Sequence, residues 1–227
     1  MFDFSYLALI LKGATATIEI AIYSLIIATL LGLAVAFARL SKIKLIKTFG
    51  GVFVTVIRGV PELVLMLLLF FGGQILVNYI ADAVNYEGYI DINPFVTGVI
   101  VIGIIYAAYM AETFRGAILS IEKGQIEAAE SLAMSRYRIL VRITIPQMAL
   151  HALPGFTNNW LVLLKATALV SLIGLNDMVG VAEYASTATK SPFFYYLLIA
   201  FIYLAFTSLS LYLLKVLVRR YNLEQQN

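Results

Sequence analysis

The chain has 227 residues, 62% of them apolar and only 13% charged, with a formal net charge of +3. Soluble domains run near 45–50% apolar and about 25% charged, so a water-solvated globule is excluded and a lipid bilayer is the fitting solvent. Cysteine is absent and histidine occurs once, at His151, which excludes a disulfide framework and leaves no Cys/His cluster for a metal.

Taken in chain order, the first apolar run extends from Gly13 to Ala38 and carries one charge, Glu19. It is too long, and lacks the basic leader, for a cleavable signal peptide. The apolar stretch Thr48 to Ile57 leads into a second run, Leu63 to Ala81. The third covers Asn93 to Ala111, and the fourth, Met148 to Asn176, is broken only by His151 and Lys165. The fifth is Ser191 to Leu214. Each is long enough to span a bilayer core as a helix, and a lone strand cannot satisfy its backbone in lipid. The expected fold is all-α: a polytopic membrane protein with five transmembrane helices in one domain, residues 1–227, without an internal repeat.

Basic residues gather on alternate connections. Arg39, Lys42, Lys44, Lys47 and Arg58 follow the first span; Arg115, Lys123, Arg136, Arg138 and Arg142 lie between the third and fourth; Lys215, Arg219 and Arg220 follow the fifth. The other side carries Lys12 and Lys190 against Asp82, Glu87, Asp91, Asp177 and Glu183. Basic loops favour the cytoplasm, which predicts a periplasmic amino terminus and a cytoplasmic carboxyl terminus in a bacterial inner membrane.

The longest cytoplasmic connection, about residues 120–146, is rich in helix formers. Glu122, Glu127 and Glu130 precede Arg136, Arg138 and Arg142, the order a helix dipole favours. Ala128, Ala129 and Ala133 allow close approach to a partner, while Leu132 and Met134 offer apolar anchors. Pro146 is expected to end the segment, because proline disfavours helix in the residue before it. The spacing predicts a short helix parallel to the membrane, either docked in a cytoplasmic partner or lying on headgroups.

This segment resembles the Glu-Ala-Ala loop of ABC importer permeases. The match falls on Glu127, Ala128, Ala129, Ile143 and Pro146, with Ala133 where that family has glycine and Ile145 where it has leucine. Arg58-Gly59-Val60-Pro61, Ala108 to Ile118, Lys123 to Ala129 and Leu164 to Ser171 continue the likeness, narrowing it to permeases for polar amino acids. Thr17 to Ala21 and Pro61 to Met66 look most like the Q-type subunit of the histidine/lysine–arginine–ornithine importer.

The resemblance implies a type I importer permease whose loop residues Glu127, Ala128, Ala129, Leu132, Ala133, Met134 and Pro146 form a coupling helix seated on an ATPase. It implies a second permease, similar or identical, two ATPase subunits that hold the ATP-Mg, and a periplasmic amino acid-binding protein. The chain binds no cofactor of its own. No Gly-x-x-x-x-Gly-Lys-Ser/Thr loop occurs, so it is expected to be no enzyme and hydrolysis falls to another chain. Lipids are its surroundings, and nucleic acid has no role. Import of neutral or acidic amino acids such as glutamine or glutamate is the alternative within transport; a non-transporting receptor or scaffold is the alternative of another class.

Ionisable groups inside spans are functional candidates. Glu62, just after Pro61, is placed to pair with a cationic amino acid, or with Arg58 at the interface. Glu19 either lines the outward mouth or reaches water. Thr167 and Ser171 offer hydroxyls to substrate or to helix packing. Glu112 and Arg115, three apart on one helix face, are expected to form an internal ion pair. Ala166 stands where many of the polar amino acid permeases carry an acid, and the resemblance implies either that this chain contributes less to the substrate site there or that the partner permease supplies the acid. Phe193, Phe194, Tyr195 and Tyr196 are read as an outer aromatic belt, with Trp160 as a further anchor.

Overall fold

The computed structural model describes residues 4–224, with side chains described from residue 5 to 216; the basic side chains of Arg219 and Arg220 lie outside that range. Nine α-helices follow in chain order among the described residues: α1 (Phe4–Leu40), α2 (Lys44–Gly59), α3 (Glu62–Ala83), α4 (Pro94–Leu119), α5 (Lys123–Ser131), α6 (Arg136–Ile139), α7 (Ile145–Ala166), α8 (Met178–Thr189) and α9 (Pro192–Glu224). A π turn, Leu140–Thr144, joins α6 to α7, and a 3₁₀ turn, Thr167–Ile173, follows α7. Five stretches are long and apolar enough to cross a membrane: Ser5–Leu40, Glu62–Ala83, Pro94–Leu119, Arg136–Ile173 and Pro192–Val216. The five expected runs fall on them.

Backbone contacts divide the chain into two interleaved units. The first holds residues 1–24, 62–102 and 160–227. Its core gathers Ile10 and Ala14 of α1, Met178, Ala182 and Ala185 of α8, and Tyr195 and Ile199 of α9. α8 packs on α9, and α3 packs on the 3₁₀ turn. Gly13 makes the approach of α1 to α8 possible: a Cβ there would lie 2.7 Å from the Met178 amide nitrogen and 2.8 Å from the Asp177 carbonyl carbon. The connection before α4 is held by two amides of α3. Gln74 accepts from Ile92 N at 2.9 Å, and Asn78 exchanges bonds with Ile90 N and O, both at 2.9 Å.

The second unit holds residues 25–61 and 103–159. Here α1 and α4 meet through small residues: a Cβ on Gly32 would lie 2.6 Å from the Met110 Cβ, and Ala36, Ala107, Ala108 and Ala111 are fully buried. Val54 of α2 closes this core on Ala108 and Ala111. Small faces of this kind let apolar helices pack where water provides no driving force between them.

Four expectations change. The run leading to the second span is a helix of its own, because Pro61 holds Val60 extended (φ −108°, ψ 138°) and stops α2 there. Pro146 does not end the loop helix: it lies in the first turn of α7, within helix that runs on from α6. Its ring cannot face a carbonyl four residues back in a regular turn, and the wider π turn just upstream accommodates it. The fourth span leaves α geometry at Thr167 and stops at Gly174, whose φ is +87°. Tyr195 is not a belt residue. Helical rotation turns it inward, where it is 1% exposed and meets Tyr6 edge-on at 6.1 Å, while Phe193, Phe194 and Tyr196 face outward.

Candidate functional site

Two sets of side chains were singled out by the sequence, and they lie on different elements. The set expected to couple, Pro146 of α7 apart, occupies α5 and the turn after it. α5 ends in a Schellman arrangement: Met134 N donates to Ala129 O at 3.1 Å and Ala133 N to Glu130 O at 2.9 Å. This geometry places Ala133 in the left-handed region, φ +55°. The glycine of the resembled loop has its physical reason here, since only glycine takes that conformation without a Cβ penalty. Ser135 then caps α6 by accepting from Arg138 N at 3.4 Å.

The chain itself covers little of this segment. Ala129 is buried, Met134 half-buried, and Glu127, Ala128 and Ala133 are exposed. Leu132 is 79% exposed and Tyr137 is 74% exposed. Gln147 of α7 donates a hydrogen bond to Gln125 of α5, so the short helix is tied to a membrane-crossing one both by this bond and by the continuous α6–π–α7 path. Pro146 lies one residue from Gln147 on that path.

Above the loop, Glu112 binds Arg115 through Oε2, with Nε at 3.1 Å and Nη2 at 2.9 Å. Its other oxygen pairs with Arg39 of α1. The Glu112–Arg115 pair is local and was expected; Arg39 is 73 positions away along the chain and no local spacing could point to it. Arg58, counted among the loop charges, lies over the Tyr109 ring at 5.1 Å. Tyr109 precedes Arg115 by six residues, about 9 Å along α4, so Arg58 sits well into the span. It closes α2 with a cation, the sign its carboxyl end favours.

The substrate set is dispersed. Glu62 is the first residue of α3 and is half-buried, Pro61 just before it is exposed, and Glu19 is exposed on α1. Thr167 is fully buried in the 3₁₀ turn; its hydroxyl donates to Leu164 O at 2.7 Å and lies 3.3 Å from the Tyr203 hydroxyl. Ser171 donates to Ala168 O at 2.8 Å. Both hydroxyls are engaged by their own turn, as helix packing requires. Because α3 packs on that turn, Glu62 heads an element that contacts the one bearing Thr167 and Ser171.

Sequence reading missed two buried polar positions. Asn159 donates to Thr113 Oγ1 at 3.0 Å, joining α7 to α4. Asp177, taken for an outer-loop acid, is fully buried; its Oδ1 accepts from Gly180 N at 2.9 Å and caps α8, and its Oδ2 is buried without a hydrogen-bond partner. Burial pushes its carboxyl up to about 6, against the opposing amides of Gly180 and Val179. The available signal was an Asp before a run of good helix positions.

Comparison with known proteins is consistent across the chain. Residues 15–223 match the family described as binding-protein-dependent transport system inner membrane component. The histidine/lysine/arginine/ornithine transport system permease protein HisQ of Escherichia coli K12 is 45% identical over 219 residues, 96% of each chain. The arginine ABC transporter permease protein ArtQ of the same strain is 38% identical, covering 90% of this chain and 91% of that one. A crystal structure of an amino acid ABC transporter with histidines superposes with a TM-score of 0.83 at 33% identity, over 97% of this chain and 99% of the other.

Proposed function

The chain belongs to the family of binding-protein-dependent transport system inner membrane components, and on that premise we propose that it is a permease subunit importing basic amino acids, histidine, lysine, arginine and ornithine, driven by ATP hydrolysed on a separate subunit. The observation that carries the reading is α5: a short helix with Leu132 and Tyr137 bare beside it, hydrogen-bonded to a membrane-crossing helix through Gln125 and Gln147. A surface that exposed, tied by a hydrogen bond to a membrane-crossing helix, suits a force-receiving contact with an ATPase.

In this reading the amino terminus is periplasmic and the carboxyl terminus cytoplasmic, because the basic connections, α5 among them, then face the cytoplasm. Two ATPase subunits holding ATP-Mg close against the coupling helices of two permeases, this chain and a paralogue. Rigid-body rocking then exposes a midplane cavity alternately to the two sides. A periplasmic binding protein delivers the amino acid. Glu62 meets its cationic end, a charge-assisted pair that strengthens where water is excluded.

Two substitutions in the assembled, reconstituted complex test it. Glu127→Lys reverses the charge on the face of α5 proposed to meet the ATPase; the expected result is loss of ATPase co-purification with the permease still folded. Retention of a fully active ATPase with Glu127→Lys rejects the coupling role. Glu62→Gln is expected to lower arginine uptake at least tenfold, about 1.4 kcal/mol, and uptake at the parental rate removes Glu62 from the substrate path.

A further inference from the structure

One cavity in the second unit belongs to neither set of expected residues. It has a volume of about 790 Å³ and lies among the end of α1, the start of α2 and the end of α4. Arg39, Lys44, Lys47 and Arg115 line it together with Thr48 and Thr55. Of these four cations, Arg39 and Arg115 pair with the same carboxylate, Glu112. Lys44 and Lys47 make no ion pair among the described residues and are exposed. Both stand at the amino-terminal end of α2, which has no side-chain cap and no acid in its first turn. Cations there oppose the helix dipole, an arrangement that an anion between them relieves.

The position of the cavity selects the kind of anion. Arg39 is the penultimate residue of the span Ser5–Leu40, and Arg115 lies about one turn from the end of the span Pro94–Leu119. Both lie near the ends of helices long and apolar enough to cross a membrane, and cations at such ends attract headgroup phosphates. From the cations the wall continues along α2 through Val52 and Val56, 56% and 53% exposed, with Leu119 of α4 60% exposed. A free phosphate uses the cations alone. An anionic phospholipid uses both parts, its phosphate on the lysines and arginines and its acyl chains along the valine face.

We propose that this cavity is a binding site for the headgroup of an anionic phospholipid, phosphatidylglycerol or cardiolipin, held by Lys44, Lys47, Arg39 and Arg115. Basic pockets between membrane helices recognise such headgroups by this chemistry. The site stands whether or not the transport reading does, since none of its cation contacts is used there.

The test exchanges the purified, assembled complex into nanodiscs of phosphatidylethanolamine with a minor fraction of phosphatidylglycerol, extracts it in mild detergent, and counts bound lipids by native mass spectrometry. The parental complex is expected to retain phosphatidylglycerol enriched over its bulk fraction. Lys44→Gln/Lys47→Gln is expected to bind it about 25-fold more weakly, two lysines at about fivefold each, while still assembling. No enrichment in the parental complex, or equal enrichment in the double variant, overturns the proposal. Displacement by inorganic phosphate as effective as by short-chain phosphatidylglycerol assigns the site to a free anion and overturns the lipid. A photoreactive residue at Val52 that crosslinks to protein instead of lipid assigns the cavity to a subunit contact, with the same consequence. Lys12→Gln/Lys190→Gln, which removes two cations outside the cavity, controls for net charge and is expected to leave the enrichment unchanged.

Discussion

Two short helices connect spans of this chain, and they differ in where their apolar surface goes. α8 buries Met178, Ala182, Ala185 and Ser186 in the chain's own core, and its cap, Asp177, is buried with them. α5 buries Ala129 alone, and beyond its end Leu132 and then Tyr137 of α6 are bare. Both end on a non-glycine residue in the left-handed region, Ala133 at φ +55° and Lys190 at φ +54°. Equal local geometry with opposite burial separates a helix that completes the chain's own core from one whose surface the chain leaves bare.

The sharpest way to break the comparison is at the glycines. Gly13→Ala forces a methyl into the Asp177–Met178 backbone. Backbone cannot rotate aside, so a loss of about 3 kcal/mol is expected, seen as a lower thermal midpoint of the purified complex. Gly124→Ala in α5 meets nothing within 4 Å and is expected to be neutral or to stabilise by up to about 1 kcal/mol through helix propensity. Equal losses at the two positions would show that α5 is as enclosed as α8.

Next in size is the pH response of the α8 end. The Asp177 carboxyl titrates near 6 in the folded chain, above its ordinary value of 3.8, because burial disfavours its charge. Its contribution to stability is therefore complete below about pH 4 and lost as the pH rises through 6, at most about 3 kcal/mol. Asp177→Asn keeps a capping side chain and removes the titration. The variant is expected to match the parent at low pH and to exceed it in thermal stability at pH 7.5. A parental midpoint that does not fall between pH 5 and 7.5 would contradict the buried neutral acid.

The smallest effect lies at the turn after α5. A Cβ in the left-handed region costs about 1 kcal/mol, so Ala133→Gly is expected to stabilise the chain by about that amount in chemical or thermal unfolding. A loss of stability would mean that the Ala133 methyl makes contacts worth more than the strain.

Much of this was legible before any fold was known, and the legible part is the local part. Glu112 and Arg115 are one turn apart, and their pair follows from helix geometry alone. The Ala133 departure left the tightness of that turn open, and the structure keeps the turn with the alanine at φ +55°. Tyr195 was misread because an aromatic cluster looks alike from every side until helical rotation divides it. The substrate residues remain on separate elements, and their roles rest on the proposed transport cycle.

Composition and charge order by themselves determined a five-span helical membrane chain with one long basic connection, because an uninterrupted apolar run of about 20 residues satisfies its own backbone in lipid as a helix. Only the tertiary structure decided that Arg39 shares Glu112, that Asp177 is sealed from water and that four cations face one cavity. Those facts join residues tens of positions apart, and the packing that joins them is set by small-residue contacts such as Gly32 on Met110, which leave no periodic trace in the chain.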